Sequence, residues 1–250
     1  MDKVMQRVNE HYNRAVQHYG EAAVLGVFLY GSQNYGTNTP ESDVDTKCIL
    51  VPNLFSLAIK PYEVNHLDID GEVCECMSIM HMVANWKKQN INFVEILFTD
   101  YCIINPLYQE VWANLMTLNN KEEIARYDIK AAVLSMAHQA LHTLKQNPND
   151  RKKIMNAARI SYSLEKLTGK EPVGYKEVIR ANESIANIRL RNDELPYGYV
   201  KLLQMYFVDL IKRAEDNEYT YEPHRHEAVN SFLNDVILDI ISERVERIGC

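Results

Sequence analysis

The first part of the chain alternates between strand-like and helical patterns of hydrophobic residues. Residues 22–30 are a short, nearly continuous apolar run that ends at a glycine, as is typical of a buried strand. A second strand is predicted over residues 44–51, and Asp70-Gly71 between two alternating segments (66–70 and 72–78) predicts a β-hairpin. Helical periodicity is found at residues 2–19, 79–88, 92–97 and 106–118.

After Asn120 the strand patterns stop. Five helices are predicted at residues 124–146, 151–167, 175–186, 195–215 and 224–248, separated by proline, glycine and polar stretches. The pattern indicates an α+β protein. Residues 1–120 form a small mixed β-sheet with helices, and residues 121–250 form an all-helical domain.

The charge distribution separates the two parts further. The chain has 27 basic and 34 acidic side chains, of which residues 1–120 hold 7 and 14 and residues 121–250 hold 20 of each. An acidic protein does not bind a polyanion through its overall charge, which excludes a simple basic nucleic-acid coat. Residues 150–191, with 10 basic and 5 acidic side chains, are the exception. A phosphate-bearing ligand is therefore expected to meet a local basic patch or a metal ion.

The cysteines and the apolar runs bear on the compartment. Cys48, Cys74, Cys76 and Cys102 lie in apolar runs and Cys250 ends the chain, a pattern that favours reduced thiols over a disulfide framework. The first thirty residues lack a signal-peptide pattern, and no apolar run approaches the ~20 residues of a membrane span. A cytoplasmic protein without membrane contact is expected. No structural zinc is expected either, because Cys74-x-Cys76 has no matching second pair.

One pair of short motifs carries candidate chemistry. Gly31-Ser32 follows the first predicted strand, and after ten intervening residues Asp43-x-Asp45 stands at the head of the second. Gly31 allows a tight turn and close approach of a ligand, and Ser32 adds a hydroxyl where free backbone N–H groups can meet phosphate oxygens. Asp43 and Asp45 are two residues apart on a strand, so their carboxylates share a face. Two carboxylates this close repel each other unless a divalent cation lies between them. The pair therefore predicts a Mg²⁺ site, which would also hold phosphate oxygens.

These residues resemble the signature of the DNA polymerase beta superfamily of nucleotidyltransferases. The extended form, Tyr30-Gly31-Ser32-x-x-Tyr35-Gly36-Thr37 followed by Ser42-Asp43-x-Asp45, is similar to predicted nucleotidyltransferases of bacterial and phage RNA-repair pathways. The likeness covers residues 24–100. This chain has Lys47 and Cys48 where the family often has arginine and glycine. The resemblance implies that Gly31 and Ser32 bind a nucleoside triphosphate and that Asp43 and Asp45 hold two Mg²⁺ or Mn²⁺ ions.

The superfamily also implies a third carboxylate on a later strand, which ligates metal and acts as general base. Asp68 and Asp70 lie on the first arm of the predicted hairpin, and Glu72 follows its turn. Glu75 is instead a charged residue inside the apolar segment Val73-Cys-Glu-Cys-Met77. Because an unpaired buried carboxylate is costly, a metal or a nearby cation is its natural partner. Glu75 is the preferred candidate.

A basic helix is the predicted contribution of the second domain. The segment Lys152-Lys153-Ile-Met-Asn-Ala-Ala-Arg159 resembles a Lys-Lys…Ala-x-Arg helix of the same family. Lys152 and Arg159 are about two turns apart and share a helix face. Lys152, Lys153 and Arg159 are therefore candidates to bind the β- and γ-phosphates across a cleft between the domains. A solvated basic surface is the alternative interpretation.

The predicted activity is transfer of a nucleoside monophosphate from a triphosphate, with ATP favoured, to an acceptor hydroxyl. The resemblance makes an RNA end, for example of tRNA, the first acceptor to test. Two alternatives use the same site: AMP transfer to a protein, as antitoxin-type members do, and transfer to a small molecule such as an aminoglycoside. A further alternative, of another class, is an inactive nucleotide-sensing or partner-binding module.

Overall fold

The computed structural model describes residues 3–169, 173–190, 195–219 and 223–248. Cys250 therefore lies outside the described residues. The helices are α1 (Lys3–Tyr19), α2 (Ser32–Tyr35), α3 (Leu54–Ile59), α4 (Ile79–Lys87), α5 (Ile91–Val94), α6 (Gln109–Leu115), α7 (Leu118–Ala125), α8 (Ile129–Gln146), α9 (Arg151–Thr168), α10 (Tyr175–Ile179), α11 (Glu183–Leu190), α12 (Tyr199–Glu215) and α13 (Pro223–Ile248). Short 3₁₀ turns lie at Glu21–Ala23, Glu95–Phe98 and Pro106–Tyr108. No helix within these ranges combines the length and apolar content needed to cross a bilayer.

The strands of the described residues form one mixed sheet. They are β1 (Val24–Leu29), β2 (Thr46–Leu50), β3 (Val64–Ile69), β4 (Glu72–Ser78) and β5 (Cys102–Ile104), in the order β3-β4-β2-β1-β5. Only β2 and β4 pair in parallel among them. The hairpin turn between β3 and β4 has positive φ at Asp70 (56°) and Gly71 (85°), which two-residue hairpin turns favour. The predicted α+β class, a small mixed sheet followed by helices, is confirmed.

Alternation along β2 and β4 divides the side chains between two cores. Cys48, Cys74 and Cys76 face α1 in the smaller core, which includes Val8 and Ala15 of that helix. Ile49 and Met77 face the opposite way, into the larger core that the helices of residues 79–240 complete. The site described below lies on this second side, where the sheet meets the helices.

The larger core runs without a break from the sheet into the helical part. It joins Leu25 and Phe28 of β1 to Ile154 of α9 and Phe207 of α12. Residue 120 lies inside α7. A division into domains at residues 120 and 121 stays a prediction.

Several local features differ from the sequence prediction; among them, α7 was not predicted as a separate helix, and the helix predicted from residue 124 begins at Ile129. The strand predicted from residue 44 begins at Thr46, and the short elements α3 and β5 were not predicted. The helix predicted over 175–186 is split, because Arg180 is extended (φ −77°, ψ 136°) and the Ala181 N–H donates to the Tyr35 carbonyl at 3.1 Å. That hydrogen bond ties the helical part to the turn after β1.

Candidate functional site

The turn after β1 presents Gly31 and Ser32 at the edge of the sheet. Gly31 has φ +81° and ψ −153°, a conformation essentially restricted to glycine. Its carbonyl accepts hydrogen bonds from the N–H groups of Asn34 and Tyr35 (3.0 and 3.1 Å), which close the short helix α2. Gly36, with φ +75°, ends that helix in the left-handed conformation. The predicted Gly-Ser turn is therefore formed, with Ser32 as the first residue of α2.

Asp43 and Asp45 lie on an extended segment directly before β2. Val44 between them is buried in the smaller core, so the two carboxylates point to the other side of the segment. The Tyr30 N–H donates to the Asp45 carbonyl at 3.1 Å and holds this segment beside the end of β1. Asp43 is exposed and Asp45 is half-buried.

The two halves of the motif touch. A Cβ built on Gly31 would lie 3.0 Å from Oδ2 of Asp45, closer than side chains normally pack. Burial raises the pKa of Asp45, and the neighbouring charge of Asp43 raises it further, while Lys152 and Lys47 oppose the shift. The position therefore holds unfavourable negative charge that a cation would relieve.

A cleft of about 260 Å³ opens beside Asp45, between the sheet and the helical part. The structure brings most of the predicted site residues together in it: the lining includes Gly31, Ser32, Asp45, Lys152, Lys153 and Arg159. Sequence reasoning left open whether the basic residues of α9 face solvent or the cleft; the structure places all three at the cleft.

The N-terminus of α9 orients these basic residues. The Asp150 side chain accepts a hydrogen bond from the Lys153 N–H at 3.1 Å and caps the helix. Lys152 and Lys153 in the first turn are exposed, whereas Arg159, two turns on, is 3% exposed. The cleft thus has a solvated basic rim and one buried cation.

Arg159 is held by an aromatic ring and leaves nitrogen atoms free. Its guanidinium carbon lies 3.6 Å from the centre of the Tyr35 ring, a cation–π contact. Nε and Nη1 of Arg159 are buried and have no hydrogen-bond partner among the described residues. Because a buried guanidinium normally satisfies its donors, these two nitrogens are suited to bind an anionic ligand.

Behind Tyr35 lies a buried carboxyl group that sequence reasoning missed. Glu95 is fully buried; the Tyr35 hydroxyl donates to its Oε1 at 2.6 Å, and the Asn34 amide donates to Oε2 at 3.2 Å. Burial raises the pKa of Glu95 to about 7, against the opposing effects of the Tyr35 hydrogen bond and the Arg159 charge. A usable signal was present: Glu95 is the charged residue in the otherwise apolar segment Phe93-Val-Glu-Ile-Leu-Phe98.

Glu75, the predicted third carboxylate, lies on β4 and pairs with Lys47. The two residues are directly opposite in the parallel register, and the Lys47 ammonium donates to Glu75 Oε2. Lys47 is 2% exposed and also lies over the rings of Tyr30 (4.0 Å) and Phe93 (4.3 Å). Glu75 does not line the cleft. The same register, extended by one residue, places Val73 beside Asp45, so Glu75 lies two residues, roughly 7 Å, further along the sheet.

The other carboxylates considered for this role have structural partners. Glu72 accepts from Arg7 Nε at 2.7 Å and from the Val44 N–H at 3.1 Å. Asp68 accepts from the Gly71 N–H at 3.0 Å in the hairpin turn. Glu72 and Asp43 line a second cavity of about 550 Å³, together with Arg7 and Val44. Asp45 lines the cleft, whereas Asp43 lines this second cavity and is not among the residues that line the cleft.

The helical part contacts the turn after β1 at further points that the sequence did not indicate. Arg189 of α11 donates from Nη1 to the Thr37 carbonyl at 3.2 Å and also lines the cleft. Asn92, Gln139 and Asn156 add polar side chains to the wall. The cleft is therefore closed by residues more than a hundred positions apart in the chain.

The carboxylates fit a divalent cation that is shared with a nucleotide. Among the side chains that the structure describes, no three from His, Cys, Asp and Glu converge on one metal position. Mg²⁺ is commonly bound by one or two carboxylates together with substrate phosphates, so a complete protein cage is not required. Asp43 and Asp45, with like charges on one side of one segment, provide such a partial set.

Comparison with known proteins gives one family match. The family model described as "Nucleotidyltransferase domain" matches residues 9–95. Among solved structures, a nucleotidyltransferase-like protein from Exiguobacterium sibiricum 255-15 is 14% identical, with 94% of this chain and 89% of that chain covered and a TM-score of 0.32. No curated protein matches the chain.

The matched range contains β1, the Gly31-Ser32 turn, the Asp43–Asp45 segment and Glu95. The cleft-lining residues of α9 and α11 lie outside the matched range. Residues 9–95, which are less than half of the chain, therefore resemble a nucleotidyltransferase domain.

Proposed function

We propose that this protein transfers a nucleoside monophosphate from a nucleoside triphosphate, with ATP favoured, to an acceptor hydroxyl. The acceptor oxygen forms a bond to the α-phosphorus, the bond from that phosphorus to the bridging oxygen breaks, and pyrophosphate leaves. The observation that supports this most directly is the single cleft that Asp45 and the Gly31-Ser32 turn share with Lys152, Lys153 and Arg159.

Asp43 and Asp45 are the proposed ligands of two Mg²⁺ or Mn²⁺ ions. Nucleotidyltransferase domains generally use divalent metals, and such ions, when bound, neutralise charge on the reacting phosphates. The raised pKa of Asp45 is consistent with a site that has too much negative charge without a cation. Gly31 leaves room for the Asp45 carboxylate and, with Ser32, is the proposed contact to the triphosphate.

The basic residues of α9 are the proposed phosphate clamp. Lys152 and Lys153 at the rim attract the triphosphate, and Arg159 meets it with the two nitrogens that lack partners within the protein. A guanidinium that is already immobilised loses less freedom on binding than a mobile one. Charge placement of this kind is the principal protein contribution to phosphoryl and nucleotidyl transfer.

Glu75 is the proposed general base and third metal-site carboxylate, as the superfamily resemblance implies. In that role it accepts the proton of the attacking hydroxyl, and Lys47 supplies the matching positive charge next to it. Glu75 lies on β4 two residues beyond Val73, the residue beside Asp45. The acceptor hydroxyl would therefore approach along β4.

An RNA end is the proposed acceptor, on the strength of the likeness to RNA-repair nucleotidyltransferases. A protein hydroxyl and a small molecule are the other outcomes of the test, and an inactive nucleotide-sensing module is the outcome without transfer. A cytoplasmic location is part of the proposal. The four described cysteines are free, as reduced thiols are.

Calorimetric titration of the full chain with ATP and Mg²⁺ tests the site. We expect Mg²⁺-dependent binding that Asp45→Asn and Asp43→Asn weaken by about tenfold or more. Asp209→Asn, on the exposed surface of α12, is the control and should leave binding unchanged. Binding that both site variants leave unchanged would contradict the metal-site proposal.

A further inference from the structure

A chain of three buried side chains crosses from the sheet region to the helical part behind the cleft. Glu95 is fully buried, Tyr35 is 6% exposed and Arg159 is 3% exposed. Glu95 Oε1 accepts a hydrogen bond from the Tyr35 hydroxyl at 2.6 Å. The guanidinium carbon of Arg159 lies over the face of the Tyr35 ring, 3.6 Å from its centre. The hydrogen bond to Glu95 holds the hydroxyl end of Tyr35, and the face of the ring contacts Arg159.

The Glu95 end of this chain is anchored on both oxygens. The Asn34 amide donates to Oε2, and Asn34 and Tyr35 belong to the same short helix α2. Glu95 therefore holds α2 at two successive side chains. Since α2 begins at Ser32, the same contacts also hold the turn that lines the cleft.

The Arg159 end is open toward the cleft. Its Nε and Nη1 have no hydrogen-bond partner among the described residues, yet both are buried. The carboxylate that balances this cation, Glu95, lies behind the tyrosine and leaves these donors unoccupied. A direct Glu–Arg ion pair would have consumed the donors that a phosphate needs.

We propose that Glu95 and Tyr35 are positioning residues for nucleotide binding, which together hold the Arg159 guanidinium toward the triphosphate with its nitrogens free. This inference rests on the proposed function and extends it to Tyr35 and Glu95. Neither residue is proposed to bind the phosphates itself. Tyr35 acts as a platform, and Glu95 fixes that platform through the hydroxyl. A positioning role of this kind predicts that the effect of Tyr35 on triphosphate binding depends on Arg159, whereas an effect through the Gly31-Ser32 turn would not.

A double-mutant cycle tests this route. The probe is inorganic triphosphate with Mg²⁺, titrated into the full chain by calorimetry. We expect Tyr35→Leu and Arg159→Met each to raise Kd about tenfold, and the double variant to bind no more weakly than Arg159→Met alone. Equal effects of Tyr35→Leu with and without Arg159 would overturn the proposal, because the ring would then act by supporting the cleft in general. An unchanged Kd in Tyr35→Leu would overturn it as well.

Conservative variants keep the test decisive if Tyr35→Leu does not fold. Tyr35→Phe keeps the platform but loses the hydroxyl, so we expect a Kd about threefold higher, again only when Arg159 is present. Glu95→Ala should weaken binding, whereas Glu95→Gln, whose amide oxygen can still accept a hydrogen bond from the Tyr35 hydroxyl, should keep near-wild-type affinity. Tyr175→Phe is the matched control: it removes a buried tyrosine hydroxyl that has no hydrogen-bond partner within the described residues, and it should not change Kd.

The outcomes separate this inference from the function on which it rests. If binding depends on Asp45 and Arg159 but Tyr35 and Arg159 are additive, the nucleotide site stands and the positioning role falls. If the wild-type chain does not bind Mg²⁺-triphosphate, or binds it equally after Asp45→Asn, both fall.

Discussion

Gly31 and Asp45 approach each other so closely that a methyl group on Gly31 would lie 3.0 Å from the Asp45 carboxylate. This contact joins the proposed phosphate-binding turn to the proposed metal ligand. It explains in physical terms why a glycine stands at the turn and an aspartate follows fourteen residues later. The glycine supplies both the positive φ and the space.

Gly31→Ala should therefore damage the site as well as the backbone. The strained φ costs about 1–3 kcal/mol of stability, and displacement of Asp45 should lower Mg²⁺-dependent ATP affinity or transfer by about 10²-fold. Gly36→Ala is the matched control, since Gly36 also has positive φ but a Cβ there meets nothing within 4 Å. It should lose about 1 kcal/mol and keep its ligand affinity. Equal loss of affinity in both variants would contradict the role of the Gly31–Asp45 contact.

Asp45→Asn should stabilise the protein in the absence of metal. Burial and the charge of Asp43 raise the pKa of Asp45, which means that its ionised form is disfavoured in the folded state. At pH 8 we expect the metal-free Asp45→Asn variant to have a higher Tm than the wild type, because it carries no charge at this position, and we expect the Tm increase produced by Mg²⁺ and ATP to disappear. Thermal denaturation with and without ligand measures both effects. If metal-free Asp45→Asn has a lower Tm than the metal-free wild type, the charge of Asp45 does not destabilise the folded protein.

The pKa of Glu95 predicts a pH-dependent stability. The folded-state pKa of about 7 is above the ordinary value of 4.5, so the folded state binds more protons between these pH values and stability falls as pH rises through them. The full effect is roughly 3 kcal/mol, at 1.4 kcal/mol per pH unit. Tyr35, Asn34, Arg159 and Lys47 are the groups that oppose it. Urea denaturation of wild type and Glu95→Gln at pH 5 to 8 should show a difference in unfolding free energy that grows toward pH 8; a constant difference would contradict it.

Glu75 and Lys47 allow the catalytic and structural roles of the carboxylate to be separated. Glu75→Gln leaves the buried Lys47 without its anionic partner and should cost roughly 2–4 kcal/mol, whereas Lys47→Met with Glu75→Gln should recover much of that stability. If Glu75 is the general base, both variants lose transfer by about 10²-fold or more while ATP binding changes little. Wild-type transfer in the stable double variant would show that Glu75 serves only as the partner of Lys47.

The fold and the core of the site could be predicted because their signals are local. The apolar run that forms β1, the glycine after it and the Asp-x-Asp pair all lie within 25 residues and follow from alternation and backbone geometry. The basic residues of α9 were recognisable as a group, but their approach to the cleft depends on how α9 packs against the sheet. That packing is set by the shared core and not by any short pattern.

The remaining features depend on contacts between distant residues. β5 is three residues long and exists because it pairs with β1, and the break between α10 and α11 follows from a hydrogen bond to Tyr35. Glu75 and Glu95 present the same sequence pattern, a carboxylate within an apolar segment. Their partners, Lys47 and Tyr35, became visible only in the folded protein.

Incubation of the full chain with each of the four α-labelled nucleoside triphosphates, Mg²⁺, total RNA and cell lysate tests nucleotidyl transfer most directly. We expect label to pass from one triphosphate to an acceptor, with RNA proposed, and we expect Asp43→Asn and Asp45→Asn to abolish this transfer while Asp209→Asn does not. Label on protein or on a small molecule would keep the chemistry and replace the acceptor. No labelled product from any triphosphate, or equal labelling by Asp45→Asn, would contradict the account.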